Sequence, residues 1–478
     1  MILTVDIGTS TFKAAVFSRE GLCLGQAAIP LDTGGGETCE LDPGVWLAAF
    51  EAVLPRFGGL GALEALVISG NGPTLVPVTG TPTVRGAGLS LPAGRARLWL
   101  DLRAGEESLR VSELSGAYVD PGFFVPKALW IKNREAGLYE TTRWFLSAPE
   151  YLVYALTGEA RTVFPSTGFE RWYWNQDLLR ALELDPAKFP PFISPGEFIG
   201  TPAAAIASRL GLPTGLKVFA GGPDFFMSIV GAGVTRVGQV CDRSGTSEGV
   251  NLCTQERIVD TRLMSYGHPV RPLWNLSGII SSSGRAIAWA REFLGLEGLP
   301  YESFYELAAQ SPPGARGLVF LPYLAGERAP HWNCHARGVF QGLSLATGRA
   351  ELARAVAEGI CFAIRDVITV MEDCGAPVRE LRLTGGPAES LFLNQLKADI
   401  SGYPALLPVR RDAELLGLAA IGAAALGHYS SFGEAAAALV SVERTFIPAK
   451  ETAALYEDHF GLYRELYRAL KPQFNAYY

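Results

Sequence analysis

Long hydrophobic runs are missing from this 478-residue chain. The longest, Leu415 to Leu426, has 12 residues rich in Ala and Gly, short of the roughly 20 that cross a bilayer, so no transmembrane helix is expected. Lysine is scarce: there are eight, none directly after a glycine, so there is no Walker loop, and GxGxxG is absent too. The seven cysteines are odd in number, scattered and never spaced CxxC, which argues against a disulfide framework and reads as reduced thiols. Positive charge is not in excess: 41 basic against 48 acidic residues give a net charge of -7 without a basic run, so nucleic acid is not an expected partner. Of five histidines, His331 and His335 stand four apart, but in a loop-like stretch without HExxH, so zinc is not expected. The opening Met1-Ile2-Leu3-Thr4-Val5-Asp6 has no basic, cleavable leader, and a cytoplasmic address is expected.

What is present describes a globular α/β protein. Apolar residues make up 48% and charged residues 19%, and the mean hydropathy is +0.18, enough for two large domains at roughly 150 or more residues each. Ile2 to Ile7, Gly8-Thr9-Ser10-Thr11 and Phe12 to Phe17 read as strand, tight turn, strand. The pattern returns at Gln239 to Arg243, Ser244-Gly245-Thr246-Ser247 and Glu248 to Leu252. The two Gly-Thr-Ser tips lie 237 positions apart, which suggests a duplicated architecture with domains at 1–237 and 238–478. Helices are expected over Gly44–Leu54, Ala104–Leu114, Arg285–Leu294, Arg349–Glu372, Ser390–Ile400 and Glu414–Leu426, with a packing helix from Glu451 that ends at Pro472.

A Gly-Thr-Ser tip offers backbone N–H groups and two hydroxyls to an anion such as phosphate, although one such tripeptide alone is an ordinary turn. Asp6 precedes the first tip, where a carboxylate facing an anion needs a cation between them; magnesium on a nucleotide would supply it. Lys13 either returns positive charge to that loop or is a solvated lysine. In Gly221-Gly222-Pro223-Asp224, the acid stands at a helix start. It is either an N-cap or a base that accepts a hydroxyl proton during phosphoryl transfer. Gly245-Thr246-Ser247-Glu248-Gly249 also satisfies the GxSxG elbow of serine hydrolases, but Val250 to Cys253 reads as extended where an elbow needs a helix. Trp99, Asp101 and Arg103 would share one face of an extended segment, as a polyol site or as an ion pair beside a core Trp.

Together these residues resemble the FGGY family of carbohydrate kinases, which phosphorylate sugars and polyols with ATP and Mg2+. The resemblance runs from Asp6-Ile7-Gly8-Thr9-Ser10-Thr11-Phe12-Lys13, through Gly222-Pro223-Asp224 and Ser244-Gly245-Thr246-Ser247, to the long signature over 321–330 and 337–343. Thr384-Gly385-Gly386-Pro387-Ala388-Glu389-Ser390, with Gln395, is similar to the family's adenosine motif. The resemblance implies two ribonuclease-H-like, actin-related domains with a cleft between them. It implies Asp224 as general base, Asp6 and Asp224 toward magnesium, and nucleotide binding by Gly8, Thr9, Ser10, Thr11, Lys13, Gly245, Thr246, Ser247, Gly385, Gly386, Ser390 and Gln395. Asn71, Trp99, Asp101, Arg103 and Asp224 fall on the sugar side. The partners expected are a small-molecule sugar or polyol and a second copy of the chain, with neither nucleic acid nor membrane.

Departures concentrate on that sugar side. Many xylulose-acting members carry Gln-Met-His-Gly where this chain has Asn71-Gly72-Pro73-Thr74; Phe225 follows the acid where Asn or Gln is frequent, and Val163 stands where an Asp is frequent. Each swap removes polarity, which alters the sugar accepted. The expectation is an ATP-dependent kinase of a ketose, sugar acid or polyol; the alternative is a non-catalytic relative that senses a nucleotide or sugar.

Overall fold

The computed structural model describes residues 1–31, 39–85 and 88–477. The chain divides into two compact units, Met1–Gly231 with Glu414–Leu439, and Ala232–Ala413 with Val440–Tyr478. The sequence reading has a single boundary near 237 and no return of residues 414–439 to the first unit.

The first unit is built on strands β1 (Ile2–Ile7), β2 (Thr11–Phe17), β3 (Cys23–Pro30), β4 (Ala65–Gly70), β5 (Phe198–Gly200) and β6 (Lys217–Pro223). They form one sheet in the order β5-β6-β4-β1-β2-β3. β1 is antiparallel to β2 and parallel to β4, and β4 is parallel to β6. Every residue of β1 and β4 is buried, as their apolar runs demand of central strands covered on both faces. The helix Ala148–Thr157 packs on β1 and β4, and the helix Gly44–Val53 on β2 and β3. The former opens with a capping box between Ser147 and Glu150 and closes on Gly158 in the left-handed conformation.

The second unit repeats the plan with β7 (Gln239–Ser244), β8 (Glu248–Thr254), β9 (Met264–Gly267), β10 (Trp274–Ile280), β11 (Glu380–Thr384), β12 (Ala405–Pro408) and β13 (Val442–Phe446), in the order β9-β10-β8-β7-β11-β12-β13. Again the hairpin is antiparallel and the next two strands run parallel to its first strand. Both sheets therefore carry the ribonuclease-H-like order, each with a Gly-Thr-Ser turn between its first two strands.

Most expected helices form within a residue or two of their predicted ends, and Ser390 caps Leu391–Ser401 by accepting from the Leu393 N–H. The C-terminal helix, Lys450–Tyr477, runs through Pro472 rather than ending there. A proline in a helix removes one hydrogen bond, but the apolar stripe continues to Phe474, which is buried beside Tyr467, so packing offsets that loss.

The helix Ala413–Ala425 carries the chain back to the first unit. It packs so closely on the helix Asp224–Gly231 that a Cβ on Gly417 would lie 2.0 Å from the Met227 carbonyl oxygen. Only glycine allows this approach, because the obstacle is backbone that cannot rotate away. Gly417→Ala is expected to destabilise the protein by about 1–3 kcal/mol, read as a lower midpoint of urea unfolding; an unchanged midpoint would refute the close packing.

Candidate active site

The carboxyl ends of β1, β4 and β6 gather the acids of the first unit. Asp6 is the penultimate residue of β1 and nearly fully buried. Ser69, its register partner on β4, donates to Asp6 Oδ1 at 2.7 Å. Lys13 is its partner on β2. Asp224 opens the helix that follows β6, and its Oδ1 accepts from the Phe225 N–H at 2.6 Å. The Ser228 hydroxyl, one turn on, lies 3.1 Å from the Asp224 carbonyl oxygen and 2.8 Å from Glu414 Oε1. Burial, then the charges of Glu414 and Asp224, push the Asp6 carboxyl up to about 7, against the opposing pull of Ser69 and Lys13. Asp6, Asp224 and Glu414 thus share one neighbourhood in which like charges repel.

Glu414 was not read from the sequence as a site residue. Its partner Ser228 is 186 positions away, and the one local signal, an acid at the head of an apolar run, reads equally as a helix start.

The first turn connects this cluster to the expected sugar side. Thr9 Oγ1 accepts from Trp99 Nε1 at 3.0 Å and lies 3.5 Å from Asn71 Nδ2. Thr74 donates to Asn71 Oδ1 at 2.8 Å. Trp99, Asp101 and Arg103 do not share the face of an extended segment. The chain turns there, with the Asp101 N–H bonded to the Leu98 carbonyl and the Asp101 carboxylate accepting from both the backbone and the guanidinium of Arg103. Such local side-chain bonds favour a turn over a strand. Arg103 also pairs with Glu40 and lies over Trp130 at 4.6 Å. The Asp101–Arg103 pair is therefore engaged within the protein, and Trp99 alone of the three reaches the Thr9 turn.

Lys127, also unforeseen, is fully buried and directs its ammonium at three carbonyls, Pro73 at 2.9 Å, Arg97 at 3.3 Å and Leu98 at 2.6 Å. It fastens the Asn71–Thr74 loop to the segment that carries Trp99. Beside Asp224, Phe225 stacks on Phe169 with ring centroids 6.1 Å apart, Phe169 meets Trp172 edge-on at 5.0 Å, and Trp172 stacks on Phe123 at 6.0 Å. An aromatic ladder stands beside the acid where the family resemblance leads to the expectation of an amide.

In the second unit, the Gly245-Thr246-Ser247 turn joins β7 to β8. Its carbonyls accept from the amides of Ser283, Gly284 and Arg285. Among the described residues, the amides of Thr9, Ser10, Thr246 and Ser247 have no backbone acceptor, while those of Gly8 and Gly245 close their own turns on Thr11 and Ser247. Ser247 is followed at once by strand β8, so no nucleophile elbow forms. Gly385 and Gly386 follow β11, and nothing lies within 4 Å of a Cβ built on Gly386. Ser390 is spent on its helix cap, and Gln395 Nε2 bonds Asp399 Oδ1 and the Ile447 carbonyl. His331 bonds Tyr323 and Asp366, and the described residues hold no group of three or more His, Cys, Asp or Glu arranged for a metal ion.

Comparison with known proteins agrees with this geometry. The profile of the FGGY family of carbohydrate kinases, N-terminal domain, matches residues 1–231, and that of the C-terminal domain matches 243–426. The chain is 27% identical to a xylulose kinase of Staphylococcus epidermidis over 493 residues, covering 98% of this chain and 97% of the relative. It is 29% identical to the xylulose kinase of Escherichia coli strain K12 over 498 residues, covering 99% of each. The crystal structure of a gluconate kinase from Lactobacillus acidophilus has the same fold, with a TM-score of 0.84 at 24% identity over 100% of both chains. Two domain profiles in the right order, over a twice-repeated ribonuclease-H-like sheet, place the chain in the FGGY family of carbohydrate kinases, and it is a carbohydrate kinase, a phosphotransferase.

Proposed function

We propose that this kinase moves the γ-phosphoryl group of ATP to a hydroxyl of a ketose, sugar acid or polyol, with Asp224 as general base and Asp6 turned toward a magnesium ion. The observation that carries the reading is the concentration of Asp6, Asp224 and Glu414 at the carboxyl edge of one sheet. Buried like charges are costly unless a cation accompanies them.

Asp224 accepts the proton of the acceptor hydroxyl as its oxygen bonds to phosphorus, and ADP departs with the electron pair of the broken P–O bond. The carboxylate is steadied for this by the Phe225 N–H at the first turn of its helix. The turn amides of Thr9 and Ser10, and likewise those of Thr246 and Ser247, have no backbone acceptor among the described residues and are suited to donate to phosphate oxygens. The donor set fits a divalent ion: Asp6 is a buried carboxylate whose basicity is raised by burial and by the neighbouring charges of Glu414 and Asp224. Such an ion, when bound, neutralises charge on the phosphate oxygens. Asn71 and Trp99, held by Thr9 and Thr74, face the acceptor, and Phe225 offers no hydrogen bond there, which disfavours sugars that present a hydroxyl at that side.

A coupled assay of ADP release across pentuloses, hexuloses, sugar acids and polyols tests the reading, with stimulation by at least one of them expected. Asp224→Ala is expected to lower kcat by about 10²-fold or more while ATP binding survives; undiminished turnover would remove Asp224 from the mechanism. The Asp6 carboxyl titrates near its ordinary 3.8 when unfolded and at about 7 when folded, so its ionisation opposes folding. The folded state is favoured at low pH, and that advantage is lost as pH rises toward 7. Asp6→Asn is therefore expected to stabilise the cation-free protein at pH 8 by roughly 2–4 kcal/mol while lowering turnover. Equal stability of the two forms in thermal unfolding at pH 8 would refute the strained carboxylate.

A further inference from the structure

The second unit contains a charged cluster that neither the sequence motifs nor the reaction above uses. Lys397 lies on the helix Leu391–Ser401 and is 2% exposed. Its ammonium lies 2.7 Å from Asp242 Oδ2, 2.6 Å from Ser244 Oγ and 2.6 Å from Glu248 Oε1. Ser244 Oγ donates to Glu248 Oε1 at 2.5 Å, and Ser283 bonds the other Glu248 oxygen. Asp242 and Ser244 end β7 and Glu248 begins β8, so three of these groups are the two flanks of the Gly245-Thr246-Ser247 turn. Ser283 precedes the Gly284 and Arg285 amides that hold the turn's carbonyls.

The charges balance as a pair. Burial alone would raise the Glu248 carboxyl, but Lys397 more than offsets this and holds it at about 2, while burial pushes Asp242 well above the ordinary carboxylate range. The cluster places the single ammonium of Lys397 between the carboxyls of Glu248 and Asp242. A buried pair of this kind contributes little net stability over well-packed apolar side chains, because desolvation consumes most of the attraction. What it adds is direction, since three hydrogen bonds from one ammonium fix three acceptors at once.

The same helix starts at the segment similar to the adenosine motif. Gly385 has φ +89, and a Cβ there would lie 1.9 Å from the Ser244 carbonyl oxygen, so the Gly385-Gly386 turn rests directly on the end of β7. Both segments expected to touch the nucleotide therefore meet at Ser244, which Lys397 holds.

We propose that Lys397 is a positioning residue for the phosphoryl donor: through Ser244 and Glu248 it sets the shape of the Gly245-Thr246-Ser247 turn and ties that turn to the Gly385–Ser390 segment. The proposal rests on the reading of that turn as a phosphate loop. Lys397→Met alone leaves Glu248 charged, buried and unpaired, and is expected to unfold easily. The double variant Glu248→Gln/Lys397→Met removes both charges together and is expected to fold. Its KM for ATP is expected to rise about tenfold, with the KM for the sugar unchanged. A native KM for ATP in the folded double variant, or an equal rise in both KM values, overturns the proposal. Should the double variant not fold, Ser283→Ala, which removes one bond to Glu248 and leaves the ion pair intact, supplies the readout: a two- to threefold rise in the KM for ATP supports the proposal and no change overturns it. Thr246→Ala separates the two readings. If it leaves the KM for ATP unchanged, the phosphate loop itself is misassigned; if it raises that KM and the Lys397 variants do not, only the positioning role fails.

Discussion

Repulsion among carboxylates that a sheet forces together is the constraint around which the first unit is arranged. β1, β4 and β6 are neighbours in a parallel set, so their carboxyl ends lie side by side whatever residues stand there. Placing Asp6 near the end of one strand and Asp224 just beyond another brings two acids into mutual range, and the return of the helix Ala413–Ala425 adds Glu414. Apolar packing holds that helix, and the Gly417 contact with Met227 leaves little room for it to retreat. Packing thus keeps together charges that would separate in water.

The second unit meets the same geometry with the opposite solution. Its first hairpin also brings acids together, Asp242 and Glu248, but Lys397 lies between them and the cluster is closed to solvent. In the first unit Asp6, Asp224 and Glu414 repel one another, while in the second Lys397 lies among the acids of the hairpin. A shared strand order has been fitted with two kinds of chemistry, and the difference lies in a few side chains, not in topology.

This also explains which parts could be read from sequence. The hairpins were legible because strand, Gly-Thr-Ser turn and strand are contiguous, and their repetition showed two similar sheets. Amphipathic helices were legible for the same local reason. Lys397, Glu414 and Lys127 were not, because each takes its meaning from partners far along the chain: Lys397 is 155 positions from Asp242, and Lys127 is 54 from Pro73. Alternation suggested a strand at Trp99 to Arg103 where the Asp101 side chain in fact closes a turn, and Pro472 suggested a stop that the burial of Phe474 overrides.

The sugar side follows from the same physics. Asn71 and Trp99 both converge on Thr9, so the first Gly-Thr-Ser turn is braced from two other segments, and Lys127 locks those segments to each other through backbone carbonyls. Because the Lys127 bonds go to the main chain, they do not depend on which side chains stand at 73, 97 and 98. Beside Asp224, Phe225 offers a ring rather than a hydrogen-bonding group, and that ring stacks on Phe169. A site that lacks a hydrogen-bonding group discriminates among hydroxylated ligands differently from one that has it. The bracing of the turn and the aromatic packing beside Asp224 thus rest on different residues, so one can change without disturbing the other.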